Sequence, residues 1–343
     1  MANLKVDTIS GIGTEGIVLD GGLKFNSLNY LTLPKGNTEE RGRGTRAVFN
    51  MAGGTSGDNV LDFINIQNTA NAVDFGDALD TYGASAACSS STRGIIFAGF
   101  LSPAESNVIE FITFSTTGNA QDFGDLTQGR RNLTGFSNQT RGIAAGGGTQ
   151  SPAVKQNILD YITIASAGNA QDFGDLILPL SSDPAGFSSP TRGIFAGGEG
   201  DSPYNNGINN IQYFTISTTG NFTDFGDLTT VFSRGDGTSS QTRGIVYSGK
   251  RHPASYSNTV DFITIASTGN AANFGDAATA VTNVAATSNS LRAVFGGGYV
   301  PGGNVADINY LEIQSQGNAV SFGDLTSARR EFGASSEAHG GLD

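Results

Sequence analysis

The sequence predicts an all-β chain closed into a six-bladed β-propeller with four strands per blade, and three observations carry that expectation. The tripeptide Phe-Gly-Asp recurs at Phe75, Phe123, Phe173, Phe225, Phe274 and Phe322, with spacings of 48, 50, 52, 49 and 48 residues. A second marker, usually Thr-Arg-Gly, recurs at Arg46, Arg93, Arg141, Arg192, Arg243 and Arg292. Each period of about fifty residues holds four strand-length phrases and no sustained helical period, which is the arithmetic of a propeller. A β-solenoid or a string of small sheets is the competing reading, but fifty residues is long for a solenoid coil.

One unit shows the four phrases in order. Leu133 to Ser137 is the first, Arg141 to Gly148 the second, Asn157 to Ala165 the third and Ala170 to Leu176 the fourth. Ser-Asn-Gln-Thr (137–140) links the first two, and Gly-Asn pairs such as Gly118-Asn119 and Gly220-Asn221 lie before the fourth, where glycine tolerates a positive φ in a tight turn. In the third phrase of another unit, Val108-Ile109-Glu110-Phe111-Ile112-Thr113-Phe114, both alternating faces carry bulky apolar residues. A strand of that kind is covered on both sides, as in a blade packed between two neighbours.

Closure follows from complementary defects at the two ends of the repeat array. The first unit lacks its first phrase: only Gly42, Arg43 and Gly44 separate Arg41 from Thr45. After the last Phe-Gly-Asp the chain continues Arg329-Arg330-Glu331-Phe332-Gly333-Ala334-Ser335-Ser336, matching Arg130 to Asn138. Residues 332–337 are therefore expected to pair with the sheet of residues 45–79, completing the sixth four-stranded sheet and leaving no open edge. The chain divides into residues 1–40, a short N-terminal β arm, and residues 41–343, the propeller.

Composition narrows the function classes. Lys plus Arg number 19 against 31 Asp plus Glu, a net charge of −12, so there is no overall positive field for a nucleic-acid backbone. No apolar run approaches the roughly 18 residues of a membrane helix, and the N-terminus lacks the apolar core of a signal peptide, so neither membrane insertion nor conventional secretion is expected. Cys88 is the sole cysteine, which excludes an internal disulfide and a multi-cysteine metal site, and a thiol in Ala86-Ala87-Cys88-Ser89 reads as a small core residue.

The order of phrases resembles the kelch/galactose-oxidase-like propeller: a strand ending in double glycine (Gly197-Gly198), a variable loop, a Tyr-bearing strand (Tyr161, with Phe63, Phe111, Tyr213, Phe262 and Tyr310 elsewhere), an aromatic strand, then an Arg (Arg130 or Arg329). The likeness covers residues 41–343 and departs from the family in having no Trp, whose place the Phe of Phe-Gly-Asp takes. It implies fold and blade order, and no shared activity. A copper oxidase site of the galactose-oxidase kind would need two histidines, two tyrosines and a cross-linked cysteine, whereas His252 and His339 fall in different phrases and Cys88 in another unit.

The six Asp of Phe-Gly-Asp (Asp77, Asp125, Asp175, Asp227, Asp276, Asp324) and the six Arg above could suggest a catalytic or calcium ring. A group present once per blade is better read as performing one structural task six times, with the carboxylates accepting turn amides or bridging blades. No calcium-loop, phosphate-loop or dinucleotide fingerprint occurs, and no metal, cofactor or catalytic residue is expected.

The segments between the second and third phrases vary while the strands around them do not. They run Thr55 to Asn59, Phe100 to Asn107, Thr149 to Asn157, Glu199 to Asn209, Lys250 to Asn258 and Tyr299 to Asn304, and should emerge on one face beside the links from each fourth phrase to the next blade. Variable loops on a rigid scaffold are where binding resides. Tyr204, Asn205, Lys250, Arg251, His252, Tyr256 and Tyr299 are the candidate ligand-binding residues, because aromatic faces with hydrogen-bond donors suit sugar or protein surfaces. The bland alternative is that these loops are only solvated.

Residues 1–40 fall outside the period. Their short strand-like runs lack the mass for a core and need a partner. With Val6-Asp7-Thr8-Ile9 and Leu33-Pro34-Lys35-Gly36-Asn37-Thr38-Glu39-Glu40-Arg41 the segment resembles the N-terminal module of bacteriophage fibre and appendage proteins. That resemblance implies a virion location, attachment to other virion proteins and a homo-oligomer, with a trimer favoured. The expectation is thus a phage structural protein, a fibre, spike or other appendage without catalysis, displaying the propeller toward a host-surface glycan or protein. A carbohydrate-active propeller enzyme and an intracellular kelch-like peptide-binding scaffold are the alternatives.

Overall fold

The computed structural model describes residues 44–50 and 59–338. The N-terminal arm, the first variable loop apart from Asn59, and His339 lie outside them.

Six four-stranded antiparallel sheets follow one another, each running from an inner to an outer strand. In blade 3 the strands are Thr134–Ser137, Arg141–Ala145, Ile158–Thr163 and Gln171–Asp175, hydrogen-bonded in that order. Blades 2, 4, 5 and 6 repeat the arrangement from the inner strands Ala86–Ser89, Ala185–Ser188, Asp236–Ser239 and Ala285–Ser288. Blade 1 has its inner strand supplied by Ala334–Ser336, antiparallel to Arg46–Phe49 with Ala47 opposite Ser336 and Phe49 opposite Ala334. The C-terminal segment therefore closes the wheel as the complementary defects predict, and Glu337 fastens the seam by accepting the Thr45 and Arg46 amides at 2.8 and 3.0 Å.

The core consists of six apolar clusters, each shared by two consecutive blades. Phe136, Ile143, Leu159 and Phe173 of blade 3 meet Leu180, Phe195, Phe214 and Phe222 of blade 4, and Phe322 of blade 6 meets Phe49, Ile64 and Ile66 of blade 1 in the same way. Each blade thus buries both faces, which explains the absence of clean polar alternation in the third phrase. Cys88 is 1% exposed in the cluster between blades 2 and 3, and burial pushes its thiol up to about 12.

Four sets of repeated contacts join the blades; the first three run fully around the wheel and the fourth is made in five of the six blades. On the inner strands the hydroxyls of Ser89, Ser137, Ser188, Ser239, Ser288 and Ser336 each donate to the carbonyl of the equivalent serine one blade back, at 2.6–2.8 Å. The repeated arginines bridge farther out. The guanidinium of Arg141 lies 4.7 Å from the Tyr161 ring centroid of its own blade and donates to the Ile216 carbonyl of the next at 2.8 Å. Arg93, Arg192, Arg243 and Arg292 do the same toward Ile164, Ile265, Ile313 and Ile66, and Arg46 reaches the Phe114 carbonyl.

Phe-Gly-Asp makes the third set. The amide of Asp125 donates to the Asn169 side chain of the next blade at 3.1 Å, while the Gly168 amide donates to the Phe123 carbonyl at 2.7 Å. Asp77, Asp175, Asp227, Asp276 and Asp324 meet Asn119, Asn221, Asn270, Asn318 and Asn71 alike. This corrects the expectation for the acidic repeat: the bond is made by the backbone N–H of the aspartate and accepted by an asparagine, rather than accepted by the aspartate carboxylate. Between the two residues, Gly124 at φ +145° approaches the next blade so closely that a Cβ would lie 2.6 Å from the Gly168 backbone.

The fourth set is the turn that links consecutive blades. A register shift between Leu159 and Asp160 turns the Asp160 carboxylate inward, where it accepts the Thr127 amide and hydroxyl at 3.2 and 2.7 Å. Asp62, Glu110, Gln212 and Asp261 hold the corresponding amides of Thr326, Leu79, Ile177 and Thr229. Burying these groups demands compensation. Arg130 and Arg329, both fully buried, supply it at 2.8 and 3.0 Å in blades 3 and 1.

Candidate functional site

Six inner strands converge on the axis, so their residues must be small there. A Cβ on Gly135 would sit 2.5 Å from the Ala87 carbonyl oxygen, and one on Gly186 would be 2.2 Å from the Thr134 hydroxyl. The remaining axial cavity is about 40 Å³, walled by Ala86, Ala87, Gly135, Gly186, Gly237 and Ala286 among others. That is room for very few waters. The axis is thus too narrow for a ligand, and any binding must take place on a face.

One mouth of the axis is built by the residues just before each inner strand. Ala84, Asn132, Asp183, Arg234, Asn283 and Glu331 all have left-handed backbone, with φ between +48° and +59°. Their amides link around the axis: Ala84 to the Glu331 carbonyl at 2.8 Å, Asn132 to Ala84 at 3.1 Å, Asn283 to Arg234 at 2.6 Å and Glu331 to Asn283 at 3.1 Å. The chain carries an extra residue before Asp183, and there the Arg234 amide bonds to Ser182 instead. Asp183 reaches across the mouth, accepting from the Asn132 side-chain amide at 3.0 Å and from that of Asn283. Burial, with Glu331 adding to it, pushes the Asp183 carboxyl up to about 6 against the pull of the two asparagines.

The five variable loops among the described residues rise around this mouth, each pairing with a blade-to-blade link. Gly148 bridges Arg131, Glu199 bridges Ser181, Lys250 bridges Ser233 and Tyr299 bridges Thr282. Two grooves lie between the loops and the axial ring. The first, of about 330 Å³, is lined by Arg131, Lys155, Asp183, Asp201, Arg234 and Glu331 among others. The second, of about 380 Å³, is lined by Arg234, Lys250, Ser255, Tyr256, Thr282, Asn283, Tyr299, Arg330 and Glu331.

Of the candidate residues, Lys250, Tyr256 and Tyr299 come together in the second groove. Tyr204 and Asn205 are exposed on the loop after Glu199, and His252 is exposed before a cis proline, none of them lining either groove. Arg251 is the clear departure. It is 4% exposed and pairs with Asp261 at 2.7 Å. Phe232 occupies the place that Arg130 and Arg329 hold in their blades, so the buried Asp261 needed a cation from elsewhere, and this loop provides it.

The residues missed by sequence reasoning are Arg131, Lys155, Arg234, Asn283, Arg330 and Glu331. All but Lys155 sit one or two positions before the left-handed turn or within it, where the units differ in residue type while the flanking strands repeat. That local variability was the available signal.

The electrostatics of the mouth emerge by accounting for every cation among the described residues. The six repeated arginines hold blades together, and Arg130, Arg251 and Arg329 are buried against carboxylates. The other five, Arg131, Lys155, Arg234, Lys250 and Arg330, all line the two grooves. Glu199, buried behind them, faces Arg234 and Lys250 at 3.4 Å each, and these charges with the Ser233 and Ser182 hydroxyls hold its carboxyl below the usual range despite burial.

No protein-family model and no curated protein matches the sequence. The six-bladed propeller therefore rests on its own geometry. Among the described residues no group of three or more His, Cys, Asp or Glu side chains is placed to hold a metal ion.

Proposed function

We propose that this chain is a non-enzymatic binding propeller of a bacteriophage virion appendage, and that the grooved mouth meets a host-surface glycan or protein. The observation that carries the binding face is that, among the described residues, the five cations outside the six repeated arginines and the three buried pairs gather with Tyr256 and Tyr299 at one mouth. Aromatic rings beside multiple donors are the chemistry of saccharide and protein recognition. The virion assignment is supported by the resemblance of residues 1–40 to fibre and appendage modules, through which the chain would join other virion proteins and oligomerise, a trimer being favoured. The kelch-like order of phrases supports blade construction alone.

The enzyme alternative draws on Asp183 and Glu331, two carboxyl groups near one another, the first pushed up to about 6 by burial and by the second. Each Asp183 oxygen accepts an asparagine donor from another blade, however, which suits a carboxyl that braces the mouth. Binding is the better reading. Mass spectrometry of purified virions tests the location, with absence of the protein discarding it. A glycan array and a host-cell binding assay with the full chain test the role, and hydrolysis of any bound glycan would restore the enzyme reading.

A further inference from the structure

The geometry points to an anionic saccharide as the ligand of the second groove, with a sugar ring against Tyr256 and Tyr299 and its carboxylate or phosphate on Arg234, Lys250 and Arg330. The inference rests on the binding role proposed above and narrows its chemistry.

Charge is the first argument. Three cations line this groove against one carboxylate, Glu331. Glu199 behind it is shared between two of them through a single oxygen, Oε1, at 3.4 Å from both Arg234 Nε and Lys250 Nζ. Two anions at the groove therefore face three cations, and Asp183, which also faces Arg234 from the axial ring, is held by Asn132 and Asn283. The contacts are also loose. Arg330 lies 3.6 Å from Glu331, whereas the buried structural pairs close at 2.7–3.0 Å. Charge-assisted hydrogen bonds form at about 2.7–2.9 Å, so these cations retain donors that an incoming anion can engage. The first groove also holds three cations, but Asp183, Asp201 and Glu331 line it with them, so the surplus of positive charge belongs to the second groove.

The aromatic wall is the second argument. Tyr256 and Tyr299 stand with ring centroids 6.4 Å apart, and Arg330 covers Tyr299 at 4.6 Å, which fixes a guanidinium beside the ring. Ser255, Thr282 and Asn283 add neutral hydrogen-bonding groups along the same groove. An aromatic surface next to a bound cation and short polar side chains matches a charged sugar, whose ring offers an apolar face and hydroxyls and whose substituent carries the charge. The groove, about 380 Å³, falls within the size of small-molecule sites.

The test is an array of oligosaccharides bearing uronic acids, sialic acids or phosphodiesters, each beside its methyl-esterified or neutral counterpart, probed with the full chain and followed by titration calorimetry of the members that bind. Binding should be confined to anionic members, the carboxylate and phosphate arms deciding which anion is preferred, and should weaken as salt rises from about 0.05 to 0.5 M. Lys250→Gln and Arg330→Gln should each raise Kd by roughly tenfold, about 1.4 kcal/mol, while thermal unfolding matches the parent chain. Lys250→Gln keeps the test decisive if Arg330→Gln disturbs Tyr299. Equal binding of neutral counterparts, or anionic binding indifferent to both substitutions, overturns the inference and leaves glycan recognition standing. Binding to no glycan in the array, with host-cell binding retained, also overturns it and turns the mouth to protein; loss of both removes the binding role itself.

Discussion

The hydroxyl of Ser89 donates to the backbone carbonyl of Ser336 at 2.8 Å, across 247 positions of sequence. It is one of six equivalent bonds, and one of the two, with Ser336 to the Ser288 carbonyl, that cannot form until the last strand has docked. The ring of serines is thus a direct readout of closure.

Ser336→Ala removes the donor to the Ser288 carbonyl and should lower stability by about 1 kcal/mol, the net worth of a buried hydrogen bond. A chain ending at Glu331 loses the whole inner strand and exposes the Arg46–Phe49 edge. Urea unfolding should lose cooperativity for that truncation, and sedimentation should show association through the bare edge. A truncated chain that stays monomeric with an unchanged transition would contradict the closure account.

Arg130 and Asp160 are both inaccessible to solvent. Arg130→Leu alone leaves the carboxylate buried and uncompensated, and should cost about 3–5 kcal/mol. Blade 4 already contains the neutral solution, with Leu180 at the arginine position and Gln212 at the acid, whose side-chain oxygen still accepts the Ile177 amide at 2.9 Å. Arg130→Leu combined with Asp160→Gln should therefore recover most of the loss. A double-mutant cycle by chemical denaturation measures it, and simple additivity would show that the two residues are not acting as a pair.

Blade 2 has the acid without the cation. Glu110 lies beside Tyr82, and its Oε2 accepts the Leu79 amide at 3.1 Å. Burial pushes this carboxyl from 4.5 up to about 7, with Asp80 and Asp122 adding to the shift. The folded chain then holds a proton that the unfolded chain releases between those values, so this residue's contribution to stability falls as pH rises from about 4.5 and levels off above about 7. Glu110→Gln should abolish that slope and gain on the order of 2 kcal/mol at pH 8. Denaturation midpoints of both proteins across the range supply the comparison; parallel pH curves would refute it.

Two glycines with nearly equal φ should differ sharply in their tolerance of alanine. Gly124 at +145° has the Gly168 backbone 2.6 Å from its would-be Cβ, whereas Gly168 at +157° has nothing within 4 Å. Gly168→Ala should cost about 1–3 kcal/mol through backbone strain alone, and Gly124→Ala more than that, because the adjoining blade must also move. Thermal melts of the two variants decide the matter, and equal losses would remove the argument from close approach.

Much of the architecture could be read from the chain because it repeats. A phrase that returns every fifty residues reports local strand and turn preferences six times over, and the missing first phrase at Thr45 together with the surplus phrase at Phe332 announces the closing strand. The site was less legible. Lys250 and Arg251 are neighbours of like charge in one variable loop, yet Lys250 lines the groove while Arg251 lies buried against Asp261. What separates them is Phe232, which replaces the arginine found at positions 130 and 329. The amino-acid order by itself determined the all-β fold, the blade count and the way the wheel closes, since these follow from periodic patterns along a single chain. Only the tertiary structure decided which charges remain available, because a cation's partner is chosen by distance and burial, and the groups that meet at the mouth come from different blades brought together at the axis.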